Sequence, residues 1–182
     1  INKKEIDVLF FGELTSDRKE ILNYVSKEGI NLKNIGFELS NPIKKSDEDL
    51  SNLILKSKIV LNLSKSRSRS SVNNYSSENA FKFYYQFKGR VWDAGLHGVL
   101  CVSEYSPAHE ILFKNNEIPS FFTKEECVEV LKKLLSNAKL LADYNEKFIK
   151  RVNELIDEKK NFEPIYNAIE NTDYKKVKLY KF

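Results

Sequence analysis

The sequence is short of the residues that mark several common classes of protein. Its 182 residues contain no methionine and only two cysteines, Cys101 and Cys127. These two have neither the spacing of a metal clip nor the density of a disulfide scaffold, which favours a reduced, cytoplasmic setting. No apolar run approaches the roughly 20 residues needed to cross a bilayer, and the N-terminus lacks the apolar core of a signal peptide. We therefore expect a soluble protein.

Chain length and charge further limit the number of domains and the kind of ligand that we expect. A chain of this length with 41% hydrophobic residues can bury one good core, which favours a single domain. The formal charge of +4 comes from 30 basic and 26 acidic residues spread along the chain, so an anionic ligand is favoured but nucleic acid is not demanded. Because the chain begins at Ile1 without an initiator methionine, we expect its natural beginning to be missing.

Short apolar runs alternate with amphipathic segments along most of the chain. Helix caps are predicted at Thr15 or Ser16, at Ser46, and at Thr123 with Glu126 as a capping box, and a longer helix is predicted over 140–159. Strands are predicted over 6–11, 34–39, 59–63, 99–102 and 118–122. This alternation predicts a Rossmann-like α/β fold, a parallel sheet with helices on both faces and ligands beyond the carboxyl ends of the strands.

The segment 88–112 carries polar residues at the joints of a predicted helix, strand and helix. Gly98 suits the left-handed position that ends the first helix, and Ser106 with Pro107 is an N-cap followed by a first-turn proline. Arg90 and Asp93 stand three apart on one face of the first helix. A carboxylate suits ribose hydroxyls, while a guanidinium and the N-terminus of the second helix suit phosphate, so this segment predicts a nucleotide site.

Several of these motifs together resemble a known family. They are the opening strand followed by Gly12 and the pair Arg18 and Lys19, the strand IVLNLS, and the segment from Arg90 to Gly98. This combination, over roughly 6–152, resembles the C-terminal, donor-binding half of group 1 GT-B glycosyltransferases, in the branch of spore-maturation-type proteins. The resemblance implies a metal-independent hexosyl- or related transferase with a UDP- or GDP-sugar as donor substrate and no tightly bound cofactor. It also implies an N-terminal acceptor domain that is absent from this chain.

The resemblance also assigns candidate donor-binding residues. Asp93 takes the place of a glutamate that holds the ribose hydroxyls, and Arg18 and Lys19 face the diphosphate, with close backbone approach at Gly12. Arg90 is a further candidate phosphate ligand, together with two residues of the second helix start, Ser106 and His109. Glu110 matches a commonly acidic position. Tyr85 stands where many retaining relatives have a second glutamate, so neither the stereochemical outcome nor a catalytic base is assigned.

Simpler roles compete with each assignment. Arg18 and Lys19 also suit the solvated face of a helix, and Arg90 with Asp93 also suits an i,i+3 ion pair worth about 0.2 to 0.5 kcal/mol. His97 precedes the helix-ending glycine, where stabilising the last carbonyls is the commoner role.

Two regions leave alternatives open. The Ser- and Arg-rich segment 64–79 suits a solvated loop or, less favoured, an RNA contact through Arg67 and Arg69, which would make the chain a non-catalytic α/β module. A degenerate transferase scaffold is the other non-catalytic alternative. We expect residues 1–160 to form the nucleotide-sugar-binding domain and the basic tail 161–182 to pack on the missing domain or touch the inner membrane face.

Overall fold

The computed structural model describes residues 4–38, 40, 45–65, 85–114 and 116–171, and its centre is one five-stranded parallel sheet. The strand order is β2-β1-β3-β4-β5. All four strand pairs are parallel, which confirms the predicted Rossmann-like architecture. The strands are β1 Ile6–Phe10, β2 Leu32–Asn34, β3 Ser57–Asn62, β4 Leu100–Glu104 and β5 Ser120–Phe121.

The described helices begin where their capping residues predict. Thr15 accepts a hydrogen bond from the Arg18 amide, Ser46 accepts one from Asp49, and Thr123 and Glu126 form the predicted capping box. The helices are α1 Ser16–Lys27, α2 Asp47–Leu55, α3 Arg90–Leu96, α4 Pro107–Leu112, α5 Lys124–Ser136, α6 Ala138–Leu155 and α7 Glu158–Glu170.

The predicted strands over 6–11, 59–63, 99–102 and 118–122 differ from the observed ones by one or two residues at their ends, and two other predicted elements differ by more. The strand expected over 34–39 ends at Asn34, because the Asn34 side chain accepts the Gly36 amide at 2.9 Å and turns the chain. The single helix expected over 140–159 is two helices, since Asn137 caps α6 and the chain breaks after Leu155 before α7 begins. The expected domain boundary after residue 160 therefore falls inside α7.

The core lies on both faces of the sheet, since the strands are covered by helices on each side. Val8, Leu61 and Val102 are fully buried on β1, β3 and β4. Helix α6 crosses α3 so closely that a Cβ on Gly95 would lie 2.6 Å from the Val152 side chain. This tight packing fixes α3, and with it Arg90 and Asp93, against the edge of the sheet.

Parts of the sequence hypotheses fall outside the described residues. The Ser- and Arg-rich segment is described only to Lys65, and the tail only to Asn171, so RNA binding and membrane contact stay predictions. Among the helices that the structure describes, none has both the length and the apolar character needed to span a bilayer.

Candidate ligand site at the carboxyl edge of the sheet

The carboxyl ends of β3 and β4 carry a buried polar network. Asn62 donates to the Ser103 hydroxyl at 2.8 Å, and Ser64 donates to the Glu104 carbonyl at 2.6 Å. The Glu104 carboxylate accepts the Lys65 amide at 2.8 Å, and burial raises the pKa of this carboxyl group. The sequence hypotheses assigned no role to Ser103 or Glu104. Both residues could have been identified from the sequence, because each is a polar residue at the end of an otherwise apolar strand.

Arg90 is buried at this edge and joins two strand ends. Its guanidinium group donates to the Phe11 carbonyl at 2.6 Å, the Leu63 carbonyl at 3.0 Å and the Asn62 side-chain oxygen at 3.0 Å. The guanidinium carbon also lies 5.0 Å from the centre of the Phe10 ring. Burial and the neighbouring Arg18 charge lower the pKa of Arg90 to about 10, so the group stays protonated at neutral pH.

Arg18 reaches the same place from α1. It is 7% exposed, so the solvated role considered for it is wrong. Its guanidinium group donates to the Glu13 carbonyl at 2.8 Å and lies 3.4 Å from the Leu63 carbonyl, which also accepts from Arg90. Arg18 and Arg90, called the arginine pair below, therefore place two positive charges side by side behind the carboxyl edge.

Gly12 makes room for the Arg90 side chain. Its φ of +110° is a conformation that side chains other than glycine rarely adopt. A Cβ at this position would lie 2.2 Å from the Arg90 Nη1 atom. The close approach expected at Gly12 is therefore made by a side chain of the protein itself.

Asp93 lies one helical turn after Arg90 and is half-buried. No ion pair joins the two residues, because the Arg90 side chain turns into the sheet. Within the described residues the Asp93 carboxylate receives no hydrogen bond. Burial raises the pKa of this carboxyl group, against the smaller opposing effects of His97 and Arg90. The Asp93 backbone carbonyl lies 2.7 Å from the His97 ring, as expected for a histidine at a helix end.

His109 and Ser106 hold the start of α4. The Ser106 amide donates to His109 Nδ1 at 3.3 Å, and His109 Nε2 lies 3.3 Å from the Ser103 hydroxyl. Since the amide must donate, we assign the ring proton to Nε2. Burial lowers the pKa of His109 to about 4, so the ring is neutral at pH 7 and adds no positive charge for a phosphate.

The other predicted site residues lie further from the arginine pair. Lys19 pairs with Glu38 at 2.5 Å on the exposed side of α1, so it does not join the arginine pair. Glu110 accepts a hydrogen bond from the Tyr105 hydroxyl at 2.5 Å. In the part of the chain that the structure describes, no three His, Cys, Asp or Glu side chains gather in a way that would hold a metal ion.

A five-stranded parallel sheet covered by helices, with two buried arginines and a half-buried carboxylate at its carboxyl edge, defines a Rossmann-like domain. The chain belongs to the glycosyl transferase-like family, which matches residues 4–159. No curated protein matches the chain.

Solved structures of glycosyltransferases share the fold. An α1,3-fucosyltransferase with GDP-fucose is similar over 100% of this chain and 51% of its own, with 11% identity and a TM-score of 0.58. T4 phage BGT in complex with UDP and Mn²⁺ is similar over 94% and 50%, with 14% identity and a TM-score of 0.60. Anabaena Alr3699/HepE in complex with UDP-glucose is similar over 92% and 42%, with 12% identity and a TM-score of 0.58.

The chain thus spans about half the length of these proteins. The expected likeness to one half of a GT-B glycosyltransferase is confirmed. The spore-maturation branch stays a prediction.

Proposed function

We propose that this chain is the donor-binding part of a glycosyltransferase and holds a UDP- or GDP-sugar at the carboxyl edge of the sheet. The observation that carries the proposal is the environment of Arg90. In the described part of the chain this buried cation forms no ion pair and donates to neutral oxygens, with the Arg18 charge beside it. A buried positive charge of this kind favours an anion at the adjoining surface. The UDP and GDP compounds in the similar structures support a nucleotide as that anion.

The arginine pair suits the chemistry of glycosyl transfer. As the bond to the sugar breaks, negative charge grows on the departing diphosphate, and fixed positive charge nearby stabilises that state. Because most of their N–H donors are already directed at backbone carbonyls and at the Asn62 side chain, Arg18 and Arg90 act in this proposal mainly through charge and by holding the strand ends in place. Since this charge is fixed by the fold, the proposed transfer requires no metal ion.

Asp93 is the proposed ribose ligand. Its carboxylate can accept two hydrogen bonds, which matches the paired hydroxyls of a ribose. Its position on α3, held by the close packing at Gly95, gives the carboxylate a fixed place one turn from Arg90. Aspartate is one methylene shorter than glutamate, so the ribose has to approach α3 closely.

Ligand-induced stabilisation tests this function. UDP, GDP or their sugars should raise the melting temperature, since a ligand at 100 times its Kd adds about 2.7 kcal/mol. Asp93→Asn should remove most of that shift while leaving the melting temperature of the ligand-free chain nearly unchanged. Asp143→Asn, at an exposed carboxylate on α6, is the matched control and should keep the full shift. Finding no stabilisation by any nucleotide would contradict the proposal.

We also propose that α7 packs against a second domain that carries the acceptor-binding site. Four apolar residues of α7 recur at helical spacing and are about half exposed: Phe162, Ile165, Tyr166 and Ile169. A helix of 13 residues is marginal alone in water, so such a face favours a partner. Ile165→Glu should leave nucleotide binding intact but reduce transfer in the two-domain enzyme; unchanged transfer would contradict this packing.

A further inference from the structure

We infer that Lys65 contacts the diphosphate of the bound donor directly, through its ammonium group. This inference rests on the proposed function and adds to it a residue that the sequence motifs do not single out. Lys65 comes three positions after the end of β3, which lies between β1 and β4 in the sheet. The residue therefore stands at the middle of the carboxyl edge, where ligands of parallel sheets bind.

The backbone of Lys65 is held on both sides. Its amide donates to the Glu104 carboxylate at 2.8 Å, and its carbonyl accepts from the Arg18 guanidinium group at 3.3 Å. Glu104 and Arg18 are both buried, and the residue also forms an antiparallel bridge with Tyr85. Because these contacts fix the backbone before a ligand arrives, binding costs little ordering of this part of the chain.

The Lys65 side chain is accessible, in contrast to the arginine pair. It is 31% exposed, whereas Arg18 and Arg90 are buried and direct most of their N–H groups to oxygens of the protein. An ammonium group has three N–H donors. Among the described residues one carboxylate oxygen, Asp17 Oδ2, lies 3.2 Å from the Lys65 Nζ atom. Lys65 can therefore donate to a phosphate at the surface, while the arginine pair adds charge from behind.

Asp17, in the first turn of α1, competes with the diphosphate for Lys65. The Asp17 side chain is 58% exposed, and such an open ion pair contributes little stability because water screens it. A diphosphate carries more negative charge than one carboxylate and so attracts the ammonium group more strongly. The Asp17 carboxylate also repels the incoming diphosphate, since it stands beside Lys65. Loss of the Lys65 charge should therefore weaken binding, and loss of the Asp17 charge should strengthen it.

Titration calorimetry of the full chain with UDP, GDP and inorganic pyrophosphate tests the role of Lys65. Lys65→Gln should weaken the binding of whichever nucleotide binds by about tenfold, as expected for the loss of a charge-assisted hydrogen bond. Lys65→Arg keeps the charge and should keep most of the affinity. Asp17→Asn should raise the affinity by about threefold, and this gain should shrink when it is combined with Lys65→Gln.

Two controls separate a direct contact from a general effect of charge. Lys124→Gln removes the same charge from a matched residue, because Lys124 also pairs with a carboxylate of α1, that of Glu20, and its side chain is 34% exposed. Since Lys124 lies on α5, this variant should leave nucleotide affinity unchanged. Uridine and guanosine lack the diphosphate, so Lys65→Gln should not alter their binding.

The possible results separate this inference from the proposed function. If Lys65→Gln and Lys124→Gln weaken nucleotide binding equally, or not at all, the role of Lys65 is overturned and the donor function stands. If neither nucleotide binds but pyrophosphate does, and only Lys65→Gln weakens it, the donor function is contradicted and Lys65 stands as a diphosphate ligand. A chain that binds none of the three ligands overturns both. Thermal unfolding of each variant shows whether a loss of affinity reflects misfolding.

Discussion

At the amino-terminal edge of the sheet, Asp7 on β1 pairs with Lys58 at the start of β3, and their charged atoms lie 2.6 Å apart. Nearby, Glu28 after α1 pairs with Lys132 on α5 at 2.8 Å. At the carboxyl edge Arg90 is buried and donates to neutral oxygens. The amino-terminal pairs are direct contacts between opposite charges, whereas Arg90 forms no ion pair among the described residues, and the Asp93 and Glu104 carboxylates act on it only from a distance.

This difference shows what each edge contributes. Exposed ion pairs, such as those at the amino-terminal edge, add little stability because water and salt screen them. A buried cation without a direct counter-charge costs stability. The buried cation lies at the edge where ligands of parallel sheets bind, which agrees with the proposed anionic donor.

The largest expected effect comes from placing a methyl group against Arg90. Gly12→Ala should destabilise the protein by about 3 kcal/mol, because the new methyl group both strains the backbone and collides with Arg90. Gly29→Ala is the matched control: Gly29 also has a positive φ, of +82°, but its Cβ would meet open space. That variant should lose only about 1 kcal/mol. Urea unfolding measures both, and equal losses would show that the Arg90 contact is unimportant.

The second largest expected effect is a pH dependence of the unfolding free energy, caused by His109 at the carboxyl edge. Burial lowers the pKa of His109 in the folded chain to about 4, below its ordinary value of 6.5. On acidification the imidazole therefore takes up its proton at a higher pH in the unfolded chain than in the folded one. Stability should therefore fall as the pH drops below 6.5, with about 2 kcal/mol lost at pH 5.

His109→Gln removes this titration and serves as the comparison. The difference in unfolding free energy between the two chains should change with pH between 6.5 and 4 and be nearly constant above 7. A pH-independent difference would mean that His109 is not buried as a neutral ring.

The smallest effect belongs to the amino-terminal edge. Lys58→Ala should lower the free energy of unfolding by less than about 1 kcal/mol, because the ion pair with Asp7 is partly exposed. Added salt should shrink this difference further. A loss as large as that of Gly12→Ala would remove the contrast between the two edges.

Local features of the chain were predictable because their causes are local. Thr15, Ser46 and Thr123 start helices by accepting hydrogen bonds from amides three residues away. Gly98 ends α3 with a φ of +70°, as expected. The end of β2 was missed because Asn34 satisfies an amide of the following turn, a competition that strand periodicity does not reveal.

The candidate site was predictable only in part. Arg90 and Asp93 stand out in the sequence, and the structure keeps them one turn apart on α3. The partners of Asn62 were not visible, since Ser103 lies 41 positions away and meets it only when β3 and β4 pair. The same holds for Lys19, whose partner Glu38 is brought near by the chain after β2.

The amino-acid sequence by itself determined the alternation of strands and helices, the helix starts and the polar character of the strand ends, because these follow from periodicity and from contacts a few residues apart. Only the tertiary structure decided where the cations point. The oxygens that bind Arg90 belong to Phe11 and Leu63, 79 and 27 positions away. Parallel pairing of β1 with β3 sets those carbonyls side by side, and a guanidinium group with five donors turns towards them, away from Asp93.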